Sequence, residues 1–584
     1  MAREGKSWPR VISTRIKPIV ELAPRAQTVN TAKPWLKQYP EGVPYEIGPL
    51  PYQSLPQFFD ECFVRFGDSK ALESMGKYFS YKEVDRLSKD FAAYLQTLGL
   101  DKGARIALMY PNVVEYVVAM IGTLRAGYVV VNINPLYTAR ELEEQIGDSG
   151  ASVLVLMENY ASIYEQLDRL PSIKQVIVSS PGELLGLKGH LINWVARKIK
   201  KMIPVWSFPH MRYKEALQIG RRHLFQKPQI GLDDIAFLQY TGGTTGVSKG
   251  AILLQRNILS NLLQIESWLN PGLKHHQGEQ LVFLCALPLT HIFALTACAF
   301  LGIAKGGLLV MVANPRDISG FIKMLMRHPN INIFPGVNTL FHALIYRPEF
   351  KLVKLPNLLV TIGGGMAVHK KTADHWQAIT GVPIAQGYGL SETSPVVCVN
   401  SPLEPHFTGH IGPPLPSTDV LILDDDGVEL PQGAAGEICI KGPQVMAGYW
   451  NKPEETSHCM TADGYFKSGD IGLITPEGYV QIVDRKKDMI VVAGFKVFPN
   501  DVEDVLVQMP GILECAVIGE PNRKLGEIVK AFVVRSDHHI TEADVLQFCK
   551  EHLTSYKRPR KVILVKSLPK SNVGKILRRE LRNH

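Results

Sequence analysis

The stretch Arg105-Ile106-Ala107-Leu108-Met109, the apolar-rich run 113–127, and then Val129-Val130-Val131-Asn132-Ile133 decide the fold. Each short run is apolar almost throughout, as a strand must be when both of its faces are buried. The segment between them is long enough for a helix. The same alternation continues through a helix at 138–149 and a strand at Val153-Leu154-Val155-Leu156. Continuous apolar strands alternating with helices mean a parallel α/β sheet covered on both sides.

Toward the N-terminus, Ser80-Tyr81-Lys82-Glu83 reads as a helix start that leads into 85–98. Phe58-Phe59-Asp60-Glu61-Cys62-Phe63 has helical character, and residues 1–45 read as a basic, proline-bearing extension. Toward the C-terminus, α/β pattern runs from 235 to about 386. After Ser401 the texture changes to short strands with turn signals, such as Val420-Leu421-Ile422-Leu423 before Asp424-Asp425-Asp426-Gly427. This predicts a small antiparallel, barrel-like subdomain. Residues 486–584 read as a compact α+β domain. The expected organisation is therefore an extension (1–45), a large α/β domain (46–485) and a small C-terminal domain (486–584).

The formal net charge of +9 is mild for 584 residues and no long basic tract dominates, so nucleic acid is not implied. Anionic substrates or an anionic membrane surface fit this charge. The eight cysteines form no C-x-x-C pair, which leaves zinc and thioredoxin-like chemistry unsupported and reads as thiols in a reducing compartment. Residues 1–18 have no secretory pattern. The apolar run 281–304 contains Pro288 and His291, and it reads as a buried strand followed by a core helix rather than a membrane span. In 184–204, helical spacing would put Leu191, Ile192, Val195, Ile199 and Met202 on one face and Arg197, Lys200 and Lys201 on the other. A membrane-surface helix and an ordinary surface helix both fit that pattern.

The chemistry concentrates in a few loops. Thr241-Gly242-Gly243-Thr244-Thr245-Gly246-Val247-Ser248-Lys249-Gly250 follows an apolar strand. Its glycines turn backbone N–H groups inward, and its hydroxyls and lysine suit a polyphosphate. It is not a Walker loop, because the order is Lys249-Gly250. Gly363-Gly364-Gly365 follows a strand and lets a flat group approach the backbone. In Gln386-Gly387-Tyr388-Gly389-Leu390-Ser391-Glu392-Thr393, the tyrosine offers an exposed ring for stacking and Glu392 a hard oxygen ligand for Mg²⁺. Asp470 and Arg485 could hold a ribose. Lys575 sits on a glycine-containing loop near the end of the chain.

Taken in order, the loop 240–250, Gly387 to Glu392, Lys467-Ser468-Gly469-Asp470, Asp484-Arg485-Lys486-Lys487-Asp488 and Pro569-Lys570-Ser571-Asn572-Val573-Gly574-Lys575 resemble the motifs of the adenylate-forming superfamily. That superfamily includes acyl-CoA synthetases, luciferases and peptide-synthetase adenylation domains. The match runs from about residue 45 to the end. Leu287-Pro288-Leu289-Thr290-His291-Ile292-Phe293, Gly336-Val337-Asn338-Thr339 and Lys441-Gly442-Pro443-Gln444 most resemble bacterial long-chain fatty acid–CoA ligases.

The resemblance implies two half-reactions: acyl-AMP formation from ATP, then transfer to coenzyme A. It implies nucleotide contacts from Thr241, Gly242, Gly243, Thr244, Thr245, Gly246, Ser248, Lys249, Gly363, Gly364, Gly365, Tyr388, Gly389, Thr393, Asp470 and Arg485. Ser391, Glu392 and Lys575 become catalytic, with Glu392 serving Mg²⁺. Lys487 becomes the hinge of a mobile C-terminal domain, and Gly494 and Lys496 line the coenzyme A path. His291, Phe334, Gly336 and Val337, with the segments 281–289 and 334–341, become the acyl pocket. Gln255 and Thr290 depart from the usual histidine and tyrosine and bear on the acyl wall; Lys496 stands where asparagine is common. A cytoplasmic enzyme of fatty acid degradation, peripherally associated with the membrane, is implied, and a homodimer stays open. The rival readings are an acyl-AMP ligase serving a carrier protein and a non-catalytic sensor.

Overall fold

The strand–helix–strand unit forms where the apolar runs place it. Strand Arg105–Met109 lies parallel to Val129–Ile133, with helix Val114–Arg125 as the crossover. The computed structural model describes residues 33–167, 170–241, 248–274, 276, 279–571 and 574–582. The two strands belong to a seven-stranded sheet that also holds Ile235–Thr241 and, antiparallel to it, Lys249–Leu254. A second sheet of eight strands is parallel in its middle, through Leu308–Met311, Val282–Cys285, Ile333–Gly336, Val360–Gly363 and Ile384–Gly389. Its edges are antiparallel pairs, one of them Ile384–Gly389 with Val396–Val399. A large apolar core lies between these sheets, and a second, with Met109, Val131, Leu142 and Leu154, covers the other face of the seven-stranded sheet.

After residue 401 the short strands Asp419–Leu423, Gly436–Lys441, Phe466–Ile474 and Val480–Arg485 make a four-stranded antiparallel sheet. Beyond it, Ile512–Asn522 and Gly526–Arg535 form a long antiparallel pair, flanked by Ile490–Val492 and Lys561–Val565. Helices Pro499–Leu506 and Glu542–His552 pack there around a separate core that includes Val502, Val517, Val529 and Val545. The protein is thus a large α/β domain with a smaller C-terminal domain.

The run 281–304 is a buried strand and then a buried helix, and among the described residues no helix is long and apolar enough to cross a membrane. Residues 34–45, expected within the extension, are part of the fold. Trp35 and Val43 are buried in the main core, and the Tyr39 hydroxyl donates to the Pro414 carbonyl at 2.7 Å. The prolines and lysines of this segment masked its aromatic anchors. The segment 184–204 is helical from Leu187 to Ile199, with a π-turn over Val195–Ile199.

Helix starts follow the capping chemistry: the Ser80 hydroxyl accepts from the Glu83 N–H while the Glu83 carboxylate accepts from the Ser80 N–H. Behind this helix, Arg125 is almost fully buried. Its guanidinium donates to Asp85 at 2.6 Å, Asp60 at 2.9 Å and the Ser88 hydroxyl at 2.7 Å, which ties three helices together. Removing a buried cation strands its carboxylate partners. Arg125→Met is expected to lower stability by about 2–3 kcal/mol, since both carboxylates keep some solvent. Denaturant unfolding checks this, and an unchanged midpoint would refute it.

Candidate active site

Strand Phe466–Ile474 pairs antiparallel with Val480–Arg485 so that Asp470 and Arg485 stand directly opposite. Register alone therefore brings them together: Arg485 Nε lies 2.7 Å from Asp470 Oδ1. The other carboxylate oxygen accepts from the Tyr388 hydroxyl at 2.7 Å. Asp470 is buried, so both donors offset the cost of removing its charge from water. The Tyr388 ring, expected to be exposed, is buried, because its strand sits inside the eight-stranded sheet next to its edge. Gly389 has a packing role there: a Cβ would fall 1.8 Å from the Pro395 carbonyl oxygen.

Tyr388 lines a cavity that opens to solvent, with about 530 Å³ of empty space when its open mouth is counted. Gly364, Gly365 and Gly387 form the wall beside it, Phe293, Ala297, Pro395, Val396 and Val399 form the sides, and Ile265, Trp268 and Leu269 of helix Gln255–Leu273 close it. Nearly all of this lining is apolar. A Cβ on Gly364 would lie 3.2 Å from the Phe293 ring, so glycine keeps the opening clear.

Glu392 lies in the short turn Ser391–Thr393. It is buried and accepts from the Tyr449 hydroxyl at 2.7 Å, and burial pushes its carboxyl upward from the usual range. The Thr393 hydroxyl is spent inside the turn, on the carbonyls of Leu390 and Pro395. Of the glycine-rich loop, Gly242, Gly243, Thr244, Thr245 and Gly246 lie outside the described residues. Thr241 ends one strand and Lys249 begins the next, and the Ser248 hydroxyl donates to the Thr241 carbonyl at 2.8 Å. Lys249 pairs with Glu455 and lies 5.4 Å from the centre of the Tyr449 ring.

Lys575 arrives from the C-terminal domain. Gly574 precedes it with φ +80°, and a Cβ there would meet Thr339 Oγ1 at 2.3 Å and Val337 at 3.5 Å. Only glycine lets this loop press so closely on the large domain. The Arg485 charge and then desolvation push the Lys575 amine down to about 8, while Asp470 opposes the shift. Desolvation, with Lys575 adding to it, pushes His291 down to about 4. His291 is therefore neutral near pH 7, and its Nδ1 accepts from the Phe293 N–H at 3.3 Å.

Other expected residues sit elsewhere. Phe334 is fully buried, with its ring 5.0 Å from Trp376 and 5.9 Å from Phe341. A Cβ on Gly336 would strike the Phe341 ring at 2.5 Å. Both belong to the core under the sheet, as does strand Val282–Cys285, and none of them lines the cavity. Val337 stands at the Gly574 contact. Gln255 accepts from the Leu55 N–H at 2.8 Å, and the Thr290 carbonyl accepts from Gln239 at 3.0 Å; neither residue lines the cavity. Gly494 and Lys496 lie on an exposed hairpin turn, with Lys496 3.8 Å from Asp425. Lys487 follows Arg485 on the exposed link toward the C-terminal domain.

Two groups went unnoticed in the sequence. Tyr449 carries no charge to flag it. Arg578 lies three positions past Lys575, and its guanidinium is bidentate to Glu503 at 2.8 and 2.9 Å and bonds Asn500 at 2.9 Å. Asp484 accepts from the Asn500 N–H at 2.8 Å, which links the large domain to this cluster.

A family described as AMP-binding enzyme matches residues 59–450, and its C-terminal domain matches 501–575. The chain belongs to the AMP-binding enzyme family. Among AMP-binding relatives, the long-chain-fatty-acid–CoA ligase of Salmonella typhimurium is 46% identical, covering 94% of this chain and 98% of its own. That of Haemophilus influenzae is 41% identical over the same shares. ATP-bound MatB from Rhodopseudomonas palustris superposes with a TM-score of 0.75 at 30% identity, over 90% of this chain and 98% of that one.

The cation pair at the centre of the site makes a measurable claim. Titrated by NMR of ¹³C-dimethylated lysines, Lys575 is expected to lose its proton near pH 8, against about 10.4 for an ordinary lysine. Arg485→Met should move it upward, since a neighbouring positive charge disfavours the ammonium. A Lys575 signal in the ordinary range, unmoved by that substitution, would contradict the geometry.

Proposed function

We propose that this chain is a long-chain fatty acid–CoA ligase that forms acyl-AMP from ATP and then acyl-CoA. One observation carries the reading: the buried Asp470 is bonded to Arg485 and to Tyr388, Tyr388 lines an apolar cavity, and the loop that brings Lys575 from the C-terminal domain presses on the large domain through Gly574. It is supported by 46–47% identity to enterobacterial proteins of that name.

In the first step an oxygen of the fatty acid carboxylate attacks the α-phosphorus. The bond to the bridging oxygen breaks, and pyrophosphate leaves with the electron pair. Such transfers need alignment and charge neutralisation more than a covalent nucleophile. Lys575 in its ammonium form neutralises the carboxylate and α-phosphate oxygens. Asp470 keeps lone pairs for ribose hydroxyls while Arg485 and Tyr388 hold it in place. Lys249 exchanges Glu455 for the departing phosphates. Ser391 contacts the α-phosphate. Glu392 would hold Mg²⁺: it is a single buried carboxylate, and among the described residues no group of three or more metal-ligating side chains exists. That fits an ion that keeps water and phosphate as most of its ligands. When bound, the ion neutralises phosphate charge.

In the second step the coenzyme A thiol loses its proton to water. A C–S bond forms at the acyl carbonyl, and the bond from that carbon to the phosphate oxygen breaks, AMP leaving with the electron pair. Rotation about Lys487 would withdraw Lys575 and bring Gly494 and Lys496 inward. Acyl-CoA of this kind feeds fatty acid degradation.

Lys575→Ala is expected to slow acid-dependent ATP–pyrophosphate exchange by about 10²–10³-fold. Thioester formation from supplied acyl-AMP should fall far less. Unchanged exchange would defeat the mechanism, and AMP release without thioester in the presence of coenzyme A would favour delivery to a carrier protein.

The ligase also meets a lipid surface in this reading. Six of the nineteen large apolar side chains exposed among the described residues fall between Leu187 and Val205, with Leu187 90% and Val205 96% exposed. Lys198, Lys200 and Lys201 are exposed among them. Arg197, expected on the basic face, instead pairs with Glu158 at 2.7 Å. Apolar side chains among free lysines suit an anionic bilayer, each lysine adding about 1 kcal/mol. Changing the three lysines to Glu is expected to abolish flotation with phosphatidylglycerol vesicles. Equal flotation of both proteins would remove the proposal.

A further inference from the structure

The cavity has two chemically different ends. One is Tyr388, whose hydroxyl reaches Asp470 and marks the nucleotide side. The other is helix Gln255–Leu273, where Ile265, Trp268 and Leu269 close the space. A fatty acid held with its carboxylate near Lys575 therefore points its tail at this helix.

Trp268 is the largest group at that end, and it cannot move aside. It is fully buried, and its indole N–H donates to the Asn400 carbonyl at 3.3 Å. Behind it, Tyr39 packs edge-on at 5.1 Å with the two rings at 88°. Tyr39 is itself pinned by its hydroxyl bond to the Pro414 carbonyl at 2.7 Å and by an edge contact with Tyr45 at 5.7 Å. A floor that could swing open would admit any chain length. This one is bonded at its nitrogen and backed by a second fixed ring.

We propose that Trp268 is the floor of the acyl cavity and sets the longest chain it admits, with Tyr39 from the N-terminal segment as the positioning residue that braces it. The inference rests on the ligase reading and adds the determinant of chain length. Side chains that change the space at the floor or along its sides should shift chain-length preference in opposite directions. Trp268→Ala removes the floor. Ala297→Phe adds a ring to the side wall.

The test is kcat/KM for octadecanoate relative to dodecanoate, with ATP and coenzyme A saturating. Each methylene newly accommodated is worth about fourfold. The ratio is expected to rise about tenfold or more in Trp268→Ala and to fall comparably in Ala297→Phe. Tyr39→Ala should raise it less than Trp268→Ala does, with Tyr39→Phe closer to wild type because the edge contact survives. A ratio that stays at the wild-type value in both Trp268→Ala and Ala297→Phe overturns the proposal. Should Trp268→Ala fail to fold, Trp268→Phe replaces it, and an unmoved ratio there overturns the floor equally. Wild-type protein that makes no acyl-CoA from any acid of the series defeats the ligase reading instead.

Discussion

The buried carboxylate of Asp470 is the constraint on which the rest of the site depends. An isolated carboxylate in that position would cost several kcal/mol. It is kept by two donors from different parts of the fold: Arg485 across a strand pair of the small antiparallel sheet, and Tyr388 from the large sheet. Satisfying one charge therefore fixes how the two sheets meet. The consequence reaches further, because Arg485 then presents its charge to Lys575. Asp470 offsets part of that repulsion, because its carboxylate pairs with Arg485 and favours the Lys575 ammonium.

A second set of contacts holds the C-terminal domain in this arrangement. Asp484 ends the last strand of the large domain, and Asn500 and Arg578 belong to the small one. Burial pushes Asp484 up to about 6, although the Asn500 N–H and the Arg578 charge both favour its ionised form. Separating the two domains would leave Asp484 without these partners. The carboxylate would then need water or a new donor, so these contacts favour the arrangement seen here.

How much of this could be read beforehand depends on the kind of residue. The strands Arg105–Met109 and Val129–Ile133 were legible because burial on both faces demands unbroken apolar runs. Asp470, Arg485, Glu392 and Lys575 were legible as motifs, since charged groups in glycine-rich loops have few structural reasons to be there. The cavity was not legible. Phe334, Gly336, Trp268 and Ala297 are all apolar, and nothing local tells a residue under a sheet from one facing an empty space. Burial also hid the difference between Tyr388 as an exposed platform and Tyr388 as a wall that steadies Asp470. Arg197 read as solvated charge, and Arg578 went unnoticed, because their partners, Glu158 and Glu503, lie 39 and 75 positions away.

The two halves of the site together define the kind of molecule it can use. Arg485, whose charge acts on Lys575, is tied through Asp470 to Tyr388 in the wall of a cavity with a largely apolar lining. An apolar molecule without a carboxylate would fill the cavity but leave the cations unanswered. A short acid would answer them but leave apolar walls unmatched, forgoing about 0.8 kcal/mol for each missing methylene. Only an amphiphile with its charge at one end satisfies both conditions at once. The low polarity of the cavity also strengthens the attraction at its mouth, because charges interact more strongly where water is excluded. The apolar lining and the charged group at its edge are then one physical arrangement, with Tyr388 as the shared wall: its ring lines the cavity and its hydroxyl holds Asp470.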